Sequence, residues 1–175
     1  MDLTGENILL SRKSVKSEAI QWVKNDLKAG DVVYGIVRNI RPYGAFVDIG
    51  GGIVGLLPIE EISVSRIKSP QERFFVGQKI NVMIKYIDRE NERINLSYKE
   101  LLGNWEENVK EFSENTIVNG IIKEADKYKN GIFVELKPNL VAMAEYQEGL
   151  KYGQRVKVII KKIIKSKRKI KVVIV

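Results

Sequence analysis

One strand programme is written twice in this chain, and that repetition restricts the fold more than any other feature. Val32 to Gly55 reads VVYGIVRNIRPYGAFVDIGGGIVG, and Ile117 to Ala142 reads IVNGIIKEADKYKNGIFVELKPNLVA. Aligned on Gly44 and Gly131, both blocks run strand, turn, then Gly-Ala-Phe-Val against Gly-Ile-Phe-Val, with Val54 and Val141 following at the same distance. Downstream, GQKINVMIKYI (Gly77 to Ile87) matches GQRVKVIIKKI (Gly153 to Ile163), and RINLS (Arg93 to Ser97) matches KIKVV (Lys169 to Val173). Two similar modules follow, each with five strand-like runs. A length of 175 residues holds two small cores more readily than one.

Alternating β-branched residues with Gly and Pro punctuation place the strands. Val32 to Arg41 is the first, Ala45 to Ile49 the second and Ile53 to Leu57 the third. Gly50-Gly51-Gly52 is the hairpin turn between the second and third, since glycine reaches positive φ without a steric cost. Ser69-Pro70-Gln71-Glu72 carries an N-cap serine, a first-turn proline and a capping glutamate, which predicts a short helix before the fourth strand. Ile80 to Asp88 and Arg93 to Ser97 complete the set. Five short strands with a helix between the third and fourth is the order of an OB-fold barrel. The expected architecture is therefore mainly β, two tandem five-stranded OB-fold barrels joined by short helices, with the second degenerate.

The expected bounds are 30–100 for the first barrel and 115–175 for the second, with linker helices at 14–29 and 101–114. In the linkers, Ile20, Val23 and Leu27 share a stripe, as do Leu101, Trp105, Val109 and Phe112, and Asn104 with Glu107 has cap spacing. Trp22 and Trp105 read as packing anchors. Residues 1–13 contain ENILLSRK, which matches ERINLSYK of the first module, and so read as the last strand of a truncated preceding repeat.

Cysteine and histidine are both absent, which excludes a disulfide framework, Ser-His-Asp and Cys-His catalysis and the usual zinc ligand sets. No acid–base pair, metal cluster or phosphate loop stands at a meaningful spacing, so the expectation is a non-enzymatic protein without cofactors or metal. No signal pattern or long apolar run is present, and the expected setting is cytoplasmic with no membrane partner. The net charge of +8 is unevenly placed. Lys151 to Val175 holds ten Lys or Arg and no acid, leaving 20 basic and 22 acidic groups in the other 150 residues. The whole excess lies on the last hairpin of the second module, either a solvated face or a place to hold a polyanion.

The first module, Gly30 to Lys99, resembles the S1 (S-one) RNA-binding domain family through GDVVYGIVRNIRPYGAFVDIGGGIVGLL and VGQKINVMIKYIDRENERINLSYKE. The second, Thr116 to Val175, is similar to a degenerate member, keeping Gly131, Phe133, Gly153, Gln154 and Lys169 but shortening the link between its third and fourth strands, so that the helix there is expected to be lost. The resemblance implies RNA held on one barrel face by two aromatics, a His, an Asp and an Arg. By position these are Tyr43, Phe46, Asp88 and Arg93, while the family's His falls on Pro58. Arg38 and Arg41 add cations near the aromatics. In the second module the aromatics become Asn130 and Phe133, the Asp becomes Ile164 and the Arg becomes Lys169, with Tyr128 near enough to replace the missing ring. Lys157, Lys161, Lys167 and Lys169 are the candidate phosphate contacts.

Aromatic faces offer sequence-tolerant stacking, and neighbouring cations attract phosphates, as a loose single-strand binder requires. Tyr43 and Phe46 are three residues apart and would face opposite ways on an ideal strand, so sharing a face needs a bend at Gly44, and the alternative places Phe46 in the core. Asp88 and Arg93 likewise have an alternative as a turn ion pair. The function expected is binding of single-stranded RNA, with mRNA and the ribosome as candidate partners, by a monomer within a multi-repeat protein of translation or RNA metabolism. The alternative is a protein-docking module that anchors a larger protein to a ribosome or an RNA-processing enzyme.

Overall fold

Inward-facing Val, Ile, Leu and Ala at every second position decide how each group of strands closes. In the computed structural model, which describes residues 18, 21–23, 25–126 and 131–175, β1 (Val32–Arg41), β2 (Gly44–Asp48), β3 (Val54–Pro58), β4 (Lys79–Asp88) and β5 (Arg93–Ser97) form a closed barrel in the order β1-β2-β3-β5-β4. A second closed barrel repeats the scheme with β6 (Ile117–Asp126), β7 (Gly131–Lys137), β8 (Leu140–Ala144), β9 (Arg155–Ile164) and β10 (Lys169–Ile174). Adjacent strands are antiparallel except β3 with β5 and β8 with β10, which pair in parallel and close each barrel. The chain thus consists of two five-stranded barrels with OB-fold strand order.

One compact unit holds the described residues up to Ile62 together with Lys68–Leu101, and the other holds Ser63–Ile67 and Leu102–Val175. The first core is built on Val37, Ala45, Val47, Leu57, Val82, Ile84 and Leu96, all fully buried. The second rests on Ile122, Ile132, Val134, Leu140, Ala142, Val158, Ile160 and Ile170. Each Val, Leu or Ile side chain of these cores contributes about 1.5–3 kcal/mol on leaving water.

Several glycines are required by close approach. A Cβ on Gly44 would stand 2.5 Å from the Leu57 carbonyl oxygen and 3.1 Å from the Pro58 Cα on β3. Gly35 and its counterpart Gly120 stand where a Cβ would overlap Val47 and Val134. Gly50, Gly51 and Gly52 all have positive φ and turn the chain between β2 and β3, as expected.

Pro70–Glu72 forms a single 3₁₀ turn whose capping box is made by Ser69 and Glu72, and residues 145–154 of the second barrel are turn and coil, so its helix is indeed lost. The expected helix from Leu101 to Phe112 is shorter and broken: Lys99–Leu102 is a 3₁₀ turn, Gly103 takes φ 83°, and α1 (Trp105–Val109) starts only after the Asn104–Glu107 capping box. Trp105 and Phe112 pack against the second core, the anchoring role expected of Trp105. Helical residues remain at 18, 21–23 and 25, where the Arg89 guanidinium donates to the carbonyls of Val23 and Leu27 at 2.6 Å and caps the last turn. The matching strand within residues 1–13, the start of the first linker helix, Asn130 and Tyr128 lie outside the described residues.

Both barrels carry a β-bulge at the same place, and a cation sits on it. Arg38 pairs with Asp48 at 3.5 Å in the first, and Lys123 with Glu135 at 3.2 Å in the second. The second pair is only 4% exposed on each side, and Lys123 also lies 5.1 Å above the Tyr152 ring.

Glu61, in the 3₁₀ turn Ile59–Glu61 after β3, accepts from Lys85 of β4 at 2.5 Å and from the Ser97 hydroxyl of β5 at 2.8 Å. Burial pushes the Glu61 carboxyl up, but the hydrogen bonds from Lys85 and Ser97 and the charges of Lys99 and Lys85 outweigh it, leaving it below its ordinary 4.5. A carboxyl depressed in the folded state adds stability above the unfolded pKa and loses it as pH falls through the folded value. On acidification below about pH 4.5, the thermal midpoint of the wild type is expected to fall more steeply than that of Glu61→Gln, measured by circular dichroism. Gly44→Ala is expected to lose about 1–3 kcal/mol, read as a lower urea midpoint, because the backbone of β3 has nowhere to retreat.

Candidate nucleic-acid interface

The outward face of the first barrel is set by what its strands leave out of the core. On β2, Ala45 and Val47 point inward and fully buried, so Phe46 points outward and is half-buried. Phe46 is not a core residue. Tyr43 is 57% exposed and lies in the turn before β2, so strand alternation does not govern it. The two rings meet edge to face with centroids 6.1 Å apart and planes at 89°, a favoured geometry for an aromatic pair. Gly44 lets this happen through its close approach to β3 and has no positive φ, so the expected bend is replaced by a turn residue standing next to a strand residue.

Ladder register extends this face across the barrel. Phe46 is opposite Leu56 on β3, Leu56 is opposite Asn95 on β5, and Asn95 is opposite Tyr86 on β4. Flanking residues on β5, Ile94 and Leu96, are buried, so Arg93 and Asn95 both face outward. Arg93 opens β5 directly opposite Asp88. The Asp88 carboxylate takes its hydrogen bonds from Asn91, from the side chain at 2.8 Å and the backbone at 3.2 Å. These bonds, with a smaller contribution from the Arg93 charge, hold its pKa below the ordinary value. Asp88 therefore orders the β4–β5 turn as an anion while Arg93 stays exposed.

The arrangement joins some of the expected residues and separates others. Tyr43 and Phe46 touch, and Asp88 and Arg93 are neighbours, with Leu56 and Asn95 filling the face between the pairs. Arg41 is exposed at the end of β1, opposite Gly44 and next to the Tyr43 turn. Arg38 is half committed to its ion pair with Asp48. Pro58 ends β3 opposite Gly44 and offers no side-chain donor.

In the second barrel the same row reads Phe133, Met143, Lys171 and Lys162. Lys169 is opposite Ile164, the register position of Arg93 and Asp88. A bulge on β9 turns Lys161 into a groove of about 450 Å³ that Met143, Glu145, Gln147, Lys169 and Lys171 also line. Lys157 is elsewhere, toward the start of β9 opposite Asn119, and Lys167 stands in the turn between β9 and β10. Acids on the preceding segment quench part of the hairpin: Glu106 pairs with Arg168 at 2.6 Å, and Glu114 accepts from the Ile163 backbone at 2.9 Å. Lys162 and Lys171 were not singled out in the sequence, although the match of RINLS with KIKVV and the in-out alternation of both segments already aligned Lys171 with Asn95.

Comparison with known proteins places this geometry. The S1 RNA binding domain family matches residues 26–99, the first barrel. The chain is 36% identical over 153 residues to small ribosomal subunit protein bS1 of Staphylococcus aureus strain N315, a match covering 85% of this chain and 38% of that protein. It is also 36% identical over 153 residues to bS1 of Rhodopseudomonas palustris, there covering 26% of the relative. The chain thus spans well under half the length of these relatives. Among solved structures, GSP13 from Bacillus subtilis is 29% identical over a match covering 45% of this chain and 60% of that one, with a TM-score of 0.43. With this closed five-stranded barrel and this likeness to bS1, residues 26–99 form a domain of the S1 RNA binding domain family.

Proposed function

We propose that this chain binds single-stranded RNA without catalysis, as a cytoplasmic, monomeric part of a multi-repeat protein of translation or RNA metabolism, with mRNA and the ribosome as its partners. The observation that carries the reading is the exposed edge-to-face pair of Tyr43 and Phe46 on the outward face of an S1 barrel. Stacking on such rings contributes about 1–3 kcal/mol per base and needs bases that are unpaired. Arg93 and Arg41, exposed on or beside this face, attract the backbone, while Arg38 helps less because Asp48 already neutralises it. In the second barrel, Phe133 with Lys161 and Lys169 forms a phosphate-holding surface, to which Lys157 and Lys167 add longer-range attraction.

Base identity matters little in this scheme, because neither a ring face nor an ammonium group reads base edges. Two weak sites on one chain also reinforce each other, since the second contact is made at high effective concentration. The anionic Asp88 keeps the turn that presents Arg93 in place through its bonds to Asn91.

The test is fluorescence anisotropy with a labelled unstructured RNA and its duplex form, over a range of salt. Wild type is expected to prefer the single strand, with log affinity falling against log salt at a slope near about −3 if four phosphates are neutralised. Tyr43→Ala and Phe46→Ala are expected to weaken binding by about 5- to 100-fold each, with unchanged circular dichroism. Absence of RNA binding by the wild type overturns the proposal and makes protein docking the function to pursue.

A further inference from the structure

The row Phe46, Leu56, Asn95, Tyr86 runs across four strands of the first barrel, and its far end has no role in the function proposed above. Tyr86 is 59% exposed although it sits within a strand. Its neighbour Ile87 pairs with the buried Ile94, and Tyr86 itself pairs with the outward-facing Asn95. A bulge between Ile84 and Tyr86 sets this direction: without the extra residue, alternation from the buried Ile84 would turn position 86 inward. The bulge therefore delivers a large ring to the surface on the same row as Phe46. Three strand steps of about 4.8 Å separate the two, some 14 Å along the surface. That separation fits within one OB barrel's site of about 4–16 nucleotides.

We infer that Tyr86 is a second stacking platform for an unpaired nucleobase, so that the strand crosses the first barrel from Tyr43 in the turn before β2 and Phe46 on β2, over Leu56 and Asn95, to β4. This rests on the RNA-binding reading. Leu56 is half-buried and offers an apolar floor, and the Asn95 amide is placed midway to meet a base edge or a ribose hydroxyl. The second barrel supplies an internal comparison, because the position of Tyr86 is there Lys162 and that of Asn95 is Lys171. The two barrels thus put a ring and a cation at one topological position, stacking in the first and phosphate attraction in the second.

Anisotropy with a labelled unstructured RNA of about 12 nucleotides, inside the OB site range, tests this on the whole chain with Tyr86→Ala, Tyr86→Phe, Tyr86→Lys and, as a control, Tyr34→Ala. Tyr34 is equally exposed but lies off the row, opposite Asn81. Tyr86→Ala is expected to weaken binding about 5- to 100-fold, Tyr86→Phe to bind like wild type, and Tyr34→Ala to be unchanged. Tyr86→Lys is expected to lose stacking and to steepen the salt slope by about 0.7, one added phosphate contact. If Tyr86→Ala binds like wild type while Phe46→Ala is impaired, Tyr86 is no platform although the RNA-binding reading stands. Equal losses in Tyr34→Ala and Tyr86→Ala also overturn the assignment. Absence of binding by wild type overturns the reading beneath it as well.

Discussion

Parallel pairing of β3 with β5, and of β8 with β10, is the contact on which the rest of each barrel depends. Every other neighbouring pair of strands is antiparallel, including β1 with β4 and β6 with β9, which meet across the intervening strands, and the parallel ladders then join the two free ends of each sheet into a closed barrel. Closure removes the exposed edges that an isolated small sheet would present. It also sets Leu56 against Asn95 and Met143 against Lys171, which carries a single outward row from β2 to β4 and from β7 to β9. Residues 39 and 28 positions apart in the chain become neighbours on one surface through those registers.

The repeat shows how far the inside and outside of such a barrel can diverge. Inward positions hold the same kind of residue in both copies: Val37 and Ile122, Val47 and Val134, Leu96 and Val172. Close glycine contacts are kept at Gly35 and Gly120, and the bulge with its ion pair is kept at Arg38–Asp48 and Lys123–Glu135. The outward row, free of packing constraints, has gone from Phe46, Leu56, Asn95 and Tyr86 to Phe133, Met143, Lys171 and Lys162. The core is shared and the surface exchanged: the first row carries the rings of Phe46 and Tyr86, the second the ring of Phe133 and the cations of Lys171 and Lys162.

Much of this was legible in the residues, and the reasons differ from place to place. Strand positions followed from alternation, and the capping residues Ser69, Glu72, Asn104 and Glu107 marked where short helical turns begin. The helix expected through Leu101 to Phe112 failed at Gly103, where a positive φ interrupts a stripe that had the right spacing. Whether Phe46 was core or surface could not be settled from alternation, because the frame depends on which neighbour reaches the barrel axis. Tyr86 was hidden for the same reason: a bulge shifts the frame by one residue and leaves no compositional mark.

By itself the sequence determined that there are two barrels, where their strands and turns fall, and that the positive charge is concentrated on the last hairpin, because period, composition and turn chemistry are local properties. Only the tertiary structure decided that Tyr43 meets Phe46, that Arg93 stands opposite an Asp88 already engaged by Asn91, and that Tyr86 shares a row with Phe46. Those facts depend on strand register and bulge position, which arise from how distant segments pack against one another.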